Sequence, residues 1–513
     1  MSGKLLSNVR IAIVSAGMVS ALVSASAVLA GKADDTLNVA FPRETDFIDQ
    51  LHTNSTESTT SSRIIYDALL YEHPITGKIS PQLATAWTWV NETTVEFDLR
   101  QGVRFHNGED FDADDVLFTV AFVTDMDNKL RQQKSDFGFI KSAEKLGQYK
   151  VRFNLNEPKP TAELIFAGRL IMWPNEYTAV NGGHEIHASK PVGTGPYAVT
   201  SYTKGQEVVL TANTDYFEGS KPGPQIGTIK IRTIPDIQTQ VAEMLGGGLD
   251  FIWNLPKDQA ESLIGNPNLQ VAYGSTARIT LLSLDVVGRS GDTPITKTKV
   301  RRALAHGIDR ETIATYLIGG TSKALVSHCH PDQFLCSQDV PKYIYDPAKA
   351  KALLAEAGYP EGFKVTMIAG GAALRPVGEA IQGNLAKIGI DLTFENYTLP
   401  AWRKMLFEDK STISLFGWGG SQYDVSYALP VFFTGGKPDY ARDGELGGWI
   451  KAGAATADVE KRRDLYNKAL TRIADQVLTL PLYSNTVTFV MSKDVAYTPG
   501  RGGSPEFSNV RWK

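Results

Sequence analysis

Residues 79–123 dictate local structure more tightly than any other stretch of this 513-residue chain. Trp87 to Val90 is a short apolar run, and Val95, Phe97 and Leu99 alternate with Glu96, Asp98 and Arg100. That period of two predicts a half-buried strand. Asn91-Glu92 before the strand and Gln101-Gly102 after it are turn signals. Gly108 breaks the chain, and Phe111-Asp112-Ala113-Asp114-Asp115-Val116 opens a helix. Asp112 can accept from the orphan amides of its first turn, while Asp114 and Asp115 sit at the positive end of the helix dipole. The residues alone thus predict a strand–loop–helix unit whose apolar positions serve a core.

A chain this long exceeds one hydrophobic core and predicts two or three domains. The formal net charge of −4 argues against a basic face for nucleic acid or anionic membrane. Lys4 and Arg10 precede an uncharged, small-residue apolar run from Ile11 to Leu29, and Ala25-Ser26-Ala27 and Val28-Leu29-Ala30 both offer small residues for cleavage. Residues 1–30 therefore read as a secretory signal peptide. Its removal after Ala30 takes away Lys4 and Arg10 and moves the charge from −4 to −6. No cysteine near that point suggests a lipid anchor, and no later apolar run is long enough to span a bilayer. A soluble periplasmic product is expected. The two cysteines, Cys329 and Cys336, read in an oxidising compartment as a disulfide closing a short loop. The rival is a site for Zn²⁺ or a soft transition metal built from His328, Cys329, His330 and Cys336.

In chain order, Thr36 to Phe41 is a short strand, residues 42–62 read as a Thr/Ser-rich loop, and Ser61 to Tyr71 as a helix. Lys150 to Leu155 alternates as a strand. Pro191 to Tyr197, with two glycines and two prolines, is a rigid turn feeding another. Val208–Leu210 and Ile229–Ile231 follow as strands, then a helix from Gln238 to Leu245 stopped by three glycines. Ala277 to Asp285 and Leu480 to Phe489 are apolar strands. Asp346-Pro347 caps a helix from Ala348 to Ala357. Val377, Ile381, Leu385 and Ile388 form one apolar stripe ahead of a strand at Asp391–Phe394, a βαβ pattern. A late helix is expected from Val459 to Ala474.

As a string, Leu83, Ala84, Trp87, Phe97, Leu99, Arg100, Gly102, Val103, Phe105, His106, Gly108, Phe111, Ala113, Asp115 and Val116 resemble the pattern L-A-x-x-W…F-x-L-R-x-G-V-x-F-H-[ND]-G-x-x-F-x-A-x-D-V. That pattern belongs to the solute-binding proteins of ABC importers, the dipeptide/oligopeptide class or family 5. Pro191 to Tyr197, Asp250-Phe251-Ile252-Trp253, the run Val300 to Arg310 and the run from Tyr345 to Tyr359 resemble further family segments. The likeness spans nearly all of the chain after residue 30. It implies a two-lobed α/β periplasmic binding protein with a hinge. Its segments would be lobe I at 31–72, an inserted subdomain at 73–189, lobe I again at 190–276, lobe II at 277–480, and a return to lobe I at 481–513. The strands at 277–285 and 480–489 would be the crossings on which the lobes close over a ligand.

The resemblance also supplies candidate ligand contacts. Leu415 to Asp424 is similar to the family's G-W-x-x-D segment, in which the Asp three residues after the Trp pairs with a peptide's α-amino group. Here that position is Ser421, and Asp424 either matches a later family Asp or substitutes for the missing one. Trp418, Gly419 and Tyr423 belong to the same segment, where glycine leaves room for close approach. Arg375 stands where dipeptide binders carry an arginine for the ligand carboxylate, which a guanidinium grips with two hydrogen bonds. Trp253 and Glu44 occupy family loop positions, and Trp402 lies near the same region. Ser421 suggests that plain dipeptides bind poorly, because an unpaired buried ammonium costs several kcal/mol. An opine, oligosaccharide or otherwise modified solute would suit it better, with a metal chelate as a further alternative. The expected partners are that small molecule and the ABC permease with its ATPase. A monomer, no cofactor and no nucleic acid are expected.

An exported hydrolase is the rival class, yet the near-motifs fall short of it. His184-Glu185-Ile186-His187 lacks the spacing of a zinc-protease helix. Gly419 to Tyr423 lacks the last glycine of a nucleophile elbow. Gly246-Gly247-Gly248 lacks the lysine of a phosphate loop.

Overall fold

The computed structural model describes residues 31–45, 47–53, 55–128, 136–419 and 423–513. The chain enters the fold with β1 (Thr36–Phe41). A hairpin of β2 (Leu70–Glu72) and β3 (Ile79–Pro81) leads to four antiparallel strands, β4 (Ala84–Asn91), β5 (Thr94–Leu99), β6 (Ile140–Gly147) and β7 (Lys150–Leu155), in the order β4-β5-β7-β6. β8 (Tyr197–Thr203), β9 (Glu207–Ala212), β10 (Thr228–Thr233) and β11 (Phe251–Trp253) then build on β1. The long β12 (Leu269–Leu284) crosses to the second lobe, where β13 (Phe363–Gly370), β14 (Ile390–Tyr397) and β15 (Ile413–Trp418) lie. β16 (Thr479–Ser492) crosses back, and β17 (Val495–Ala496) pairs with β18 (Arg511–Trp512) near the end.

One sheet runs through both lobes in the order β14-β13-β15-β12-β16-β11-β1-β10-β9-β8. Lobe II hangs on β12 and β16 alone among its strands. These two pair antiparallel from Leu269↔Ser492 to Ser283↔Thr479, with a wide register break between Ser275 and Ile279 and a smaller one between Thr280 and Leu281. At the wide break β12 spends three residues against one of β16, so Thr276, Ala277 and Arg278 leave the ladder. The break is held by side chains: Thr276 donates to the Asn485 carbonyl (3.3 Å) and Thr280 to its Oδ1 (2.9 Å). A bulge of this kind adds local twist where the ladder is weakest.

The strand–loop–helix unit is present as β4, β5 and the helix Ala113–Thr124, which Asp112 caps in a reciprocal pair with Asp115. Phe97, Val103, Phe111, Ala113 and Val116 are fully or almost fully buried and share one core with Leu37, Val39 and Phe41 of β1. The four-stranded sheet is thus welded to lobe I, and these residues build it. His106 ties this unit to the Pro191–Tyr197 turn. Its Nδ1 accepts from the Gly193 amide (3.3 Å), which leaves Nε2 to donate to the Gly195 carbonyl (2.9 Å). A Cβ on Gly193 or Gly195 would lie 2.1–2.5 Å from the carbonyl oxygens of Ile65 and Ile64, so only glycine permits this approach.

One expectation fails in this lobe. The Thr/Ser run expected as a loop to residue 62 is the helix Thr56–Ile65, and Tyr66 is already extended. Ser55 caps it, accepting from the Ser58 amide. Serine and threonine are poor helix formers because their hydroxyls compete for the backbone. Here Glu57, Ser58, Thr60, Ser61 and Ser62 are buried, and tertiary packing overrides propensity. In lobe II, β13, the helix Arg375–Ala386 and β14 form the expected parallel βαβ unit, with Val377, Ile381, Leu385 and Ile388 in its core.

Candidate functional site

The end of β15 and the crossing strand β12 lie side by side, with Trp418 opposite Ile279 and Gly417 opposite Thr280. Trp418 packs edge-on against Phe432 at 5.3 Å, and its indole N–H is buried without a partner among the described residues. The glycines around it lie close against β12. A Cβ on Gly417 would lie 2.7 Å from Nε of Arg278, and one on Gly419 (φ +109°) 2.7 Å from the Ala277 carbonyl oxygen. Both serve the approach of β15 to the bulge. Arg278 fills the space that Gly417 leaves and donates from Nη2 to its carbonyl oxygen at 3.0 Å. Its side chain stays open to solvent, while surrounding protein depletes its hydration and lowers its pKa from the ordinary guanidinium value, the Tyr483 hydroxyl opposing that trend.

Tyr423 carries lobe II across to lobe I. Its hydroxyl donates to the Arg501 carbonyl, and the Arg501 guanidinium lies 3.7 Å from its ring centroid. Burial raises the phenol pKa well above its usual value. The cavity beneath is lined by Tyr423 and, from earlier and later parts of the chain, by Arg63, Glu72, Arg169, Lys221 and Arg501. Several of these charges are already paired: Lys221 with Asp67 at 2.6 Å, Arg169 with Asp136 at 2.6 Å, and Arg63 with Glu506.

Asp424 is no free carboxylate. Arg462 grips both of its oxygens at 2.8–2.9 Å, and Oδ1 also accepts from the Ser426 amide at 2.8 Å. The pair is buried, at 4% and 3% exposure. For Asp424 to hold a ligand amine it would have to abandon Arg462 in the interior. Ser421 lies outside the described residues.

The remaining expected contacts scatter. Trp402 is a core residue of lobe II, 6% exposed and donating to Ser414 Oγ at 2.7 Å. Trp253 is buried in lobe I, edge-on to Phe41, and its indole N–H has no partner among the described residues. Glu44 is exposed after β1 beside Gly205. Arg375 starts its helix with a side chain 61% exposed, 3.8 Å from Glu379 one turn on. Sequence reasoning passed over Arg278, although one arginine inside the apolar run Ala277–Asp285 was the visible signal.

Cys329 and Cys336 are joined, with Cα atoms 5.9 Å apart. Both sulfurs are thereby unavailable as metal ligands, and His328 turns away to bond Thr479 at 2.7 Å between Phe432 and Phe433. Among the described residues no group of three His, Cys, Asp or Glu is placed to hold a metal ion. The near-motifs are structural. His184 bonds His52 at 2.8 Å, His187 stacks on Trp173 and bonds Thr178, and Gly247 ends the helix Ile237–Gly246 in a left-handed cap.

Residues 78–440 match the family model described as bacterial extracellular solute-binding proteins, family 5, middle region. Heme-binding protein A of Haemophilus influenzae is 26% identical over 467 residues, covering 83% of each chain. A dipeptide-binding protein of Pseudomonas aeruginosa is 26% identical over 481 residues, 86% of this chain and 88% of that one. Among solved structures, the Helicobacter pylori periplasmic binding protein DppA with the peptide STSA superposes with a TM-score of 0.76 at 25% identity, over 93% of this chain and 98% of that one. MoaA of A. tumefaciens R10 with mannopinic acid gives 0.75 at 25% identity, over 93% and 99%. Two lobes on a shared crossing ribbon, a welded inserted sheet and a match over most of the chain lead to one conclusion: the protein belongs to family 5 of the bacterial extracellular solute-binding proteins, the substrate-binding components of ABC importers.

Proposed function

We propose that this chain captures a small, peptide-like or modified solute in the periplasm, closes its lobes over it and delivers it, chemically unchanged, to an ABC permease driven by its ATPase. The observation that carries the reading is the ribbon of β12 and β16, interrupted at Thr276–Arg278. It is a narrow joint beside which Tyr423 meets Arg501 across the lobes. Hinge closure concentrates backbone change in a few residues and excludes water from a bound solute. Small-angle scattering checks this: the radius of gyration falls when ligand saturates the protein, and an unchanged radius rejects a hinged binder. The working unit is a monomer, and the first thirty residues act as a leader. N-terminal sequencing of exported protein is expected to start between Val28 and Ala33. A product beginning at Met1 in the membrane fraction overturns the leader.

Relatives named for peptides, for heme and in complex with mannopinic acid leave a choice of solute class. The engagement of Asp424 by Arg462 favours a ligand that needs no buried carboxylate for a free ammonium, an opine-like or blocked molecule rather than a plain dipeptide. Calorimetry against both panels decides. Submicromolar binding of plain dipeptides, with Asp424→Asn abolishing it and leaving the fold intact, would reverse this reading.

A further inference from the structure

The cation that the family resemblance offers for a ligand carboxylate is Arg375, yet the structure leaves it on the surface beside Glu379. Arg278 differs in every respect. It sits on the bulge where β12 passes between the lobes. It is open to solvent, and among the described residues no carboxylate is within ion-pair distance of it. Its one side-chain hydrogen bond among the described residues goes from Nη2 to the Gly417 carbonyl, so Nε and Nη1 still offer donors there. Gly417 is bare where any side chain would collide with the guanidinium. Solvation alone does not need a glycine opposite it, because a surface arginine simply swings away. Trp418, the neighbour of Gly417, contributes a buried indole N–H with no partner among the described residues. Elsewhere in the interlobe region Lys221, Arg169 and Arg63 are neutralised by acids, and the Arg501 guanidinium is stacked on the Tyr423 ring.

We propose that Arg278 is the anion anchor of the solute site and that the transported solute presents a carboxylate to it. This rests on the solute-binding reading above and narrows it. A guanidinium held in place on one side by a carbonyl, with its remaining N–H groups open, matches the two oxygens of a carboxylate. Its position on the crossing strand puts the charge at the joint. A carboxylate bound there neutralises the cation as the lobes close and water leaves, where an unpaired charge costs most.

The test uses the full chain as wild type, Arg278→Gln and Arg278→Lys. Each is incubated with mannopinic acid and with a tryptic digest of casein, either with free carboxylates or after methyl esterification. Retained molecules are identified by mass spectrometry after denaturation. The wild type is expected to retain free acids and to lose them on esterification. Arg278→Gln is expected to retain about tenfold less or lower, the scale of a charged hydrogen bond lost, and Arg278→Lys an intermediate amount. Equal retention of acids and esters by the wild type overturns the proposal. So does full retention by Arg278→Gln, or loss in Arg375→Gln with Arg278→Gln unaffected. If Arg278→Gln melts early, the ester comparison on the wild type decides alone. A wild type that retains nothing from any pool, and releases no solute of its own, rejects the peptide-like reading itself. A retained solute without a carboxylate rejects only the anchor.

Discussion

Two arginines of this protein face opposite fates. Arg462, beneath the loop that follows β15, is sealed against Asp424, which takes it with both oxygens. Arg278, on the crossing strand β12, remains open to solvent with a carbonyl as its side-chain partner among the described residues. The first charge was removed from water and had to be matched, because a buried ion without its partner costs several kcal/mol. The second was left wet, so nothing in the folding reaction requires it to have a partner. A paired charge is spent on architecture, and an unpaired one remains for a visitor.

The contrast can be broken most forcefully at the buried pair. Asp424→Asn is expected to cost ~3–5 kcal/mol of stability by leaving Arg462 uncompensated, read as a drop in the urea midpoint. Replacing both partners by apolar residues, Asp424→Leu with Arg462→Met, is expected to recover most of that. A shortfall of ~1 kcal/mol should remain for the lost cap on the Ser426 amide. A double variant as unstable as the single one would mean that the pair is not the source.

A smaller effect comes from forcing a new charge into lobe II. His328 is buried between Phe432 and Phe433, and burial alone lowers its pKa to about 3. The folded state therefore binds its proton less readily than the unfolded chain, whose histidine titrates near 6.5. Stability is fully present above about pH 6.5 and falls as pH drops towards 3, by at most ~1.4 kcal/mol per unit for this one group. Urea midpoints at pH 7 and pH 5 should differ by ~2 kcal/mol on its account. His328→Gln should reduce that difference without removing it, since burial also lowers His187, to about 4. An unchanged pH slope in the variant contradicts the assignment.

The smallest stability effect is expected at the open charge. Arg278→Gln should shift the urea midpoint by no more than ~0.5 kcal/mol, the range of surface substitutions. A loss on the scale of Asp424→Asn would show that Arg278 is a structural clasp and erase the difference between the two arginines.

What the sequence revealed follows the same division. Local chemistry was legible: the Asp112 cap, Asp346-Pro347 ahead of its helix, the stripe from Val377 to Ile388 and the two crossing strands all rest on residues close in the chain. The helix Thr56–Ile65 was not, because its serines and threonines are buried by parts of the chain distant in sequence. The site was read least well. Asp424 and Arg462 stand 38 residues apart, and no local pattern announces their union. Gly417 and Gly419 looked like room for a ligand until the bulge of β12 was seen to occupy it. Trp402 stands near that segment in the chain and packs in a core cluster of lobe II.

The interruption at Thr276–Arg278 also has a mechanical meaning. Two strands laddered together form a stiff ribbon, and this one is gripped at both ends, by β11 in the first lobe and β15 in the second. The widest gap in the rungs lies between the grips, so torsional compliance is greatest where three residues of one strand face a single residue, Asn485, of the other. A twist applied by either lobe is delivered to that short segment. In the lobe closure proposed above, Arg278 rides beside the pivot, where rotation is largest and translation smallest, and its charge stays in place while the walls around it swing.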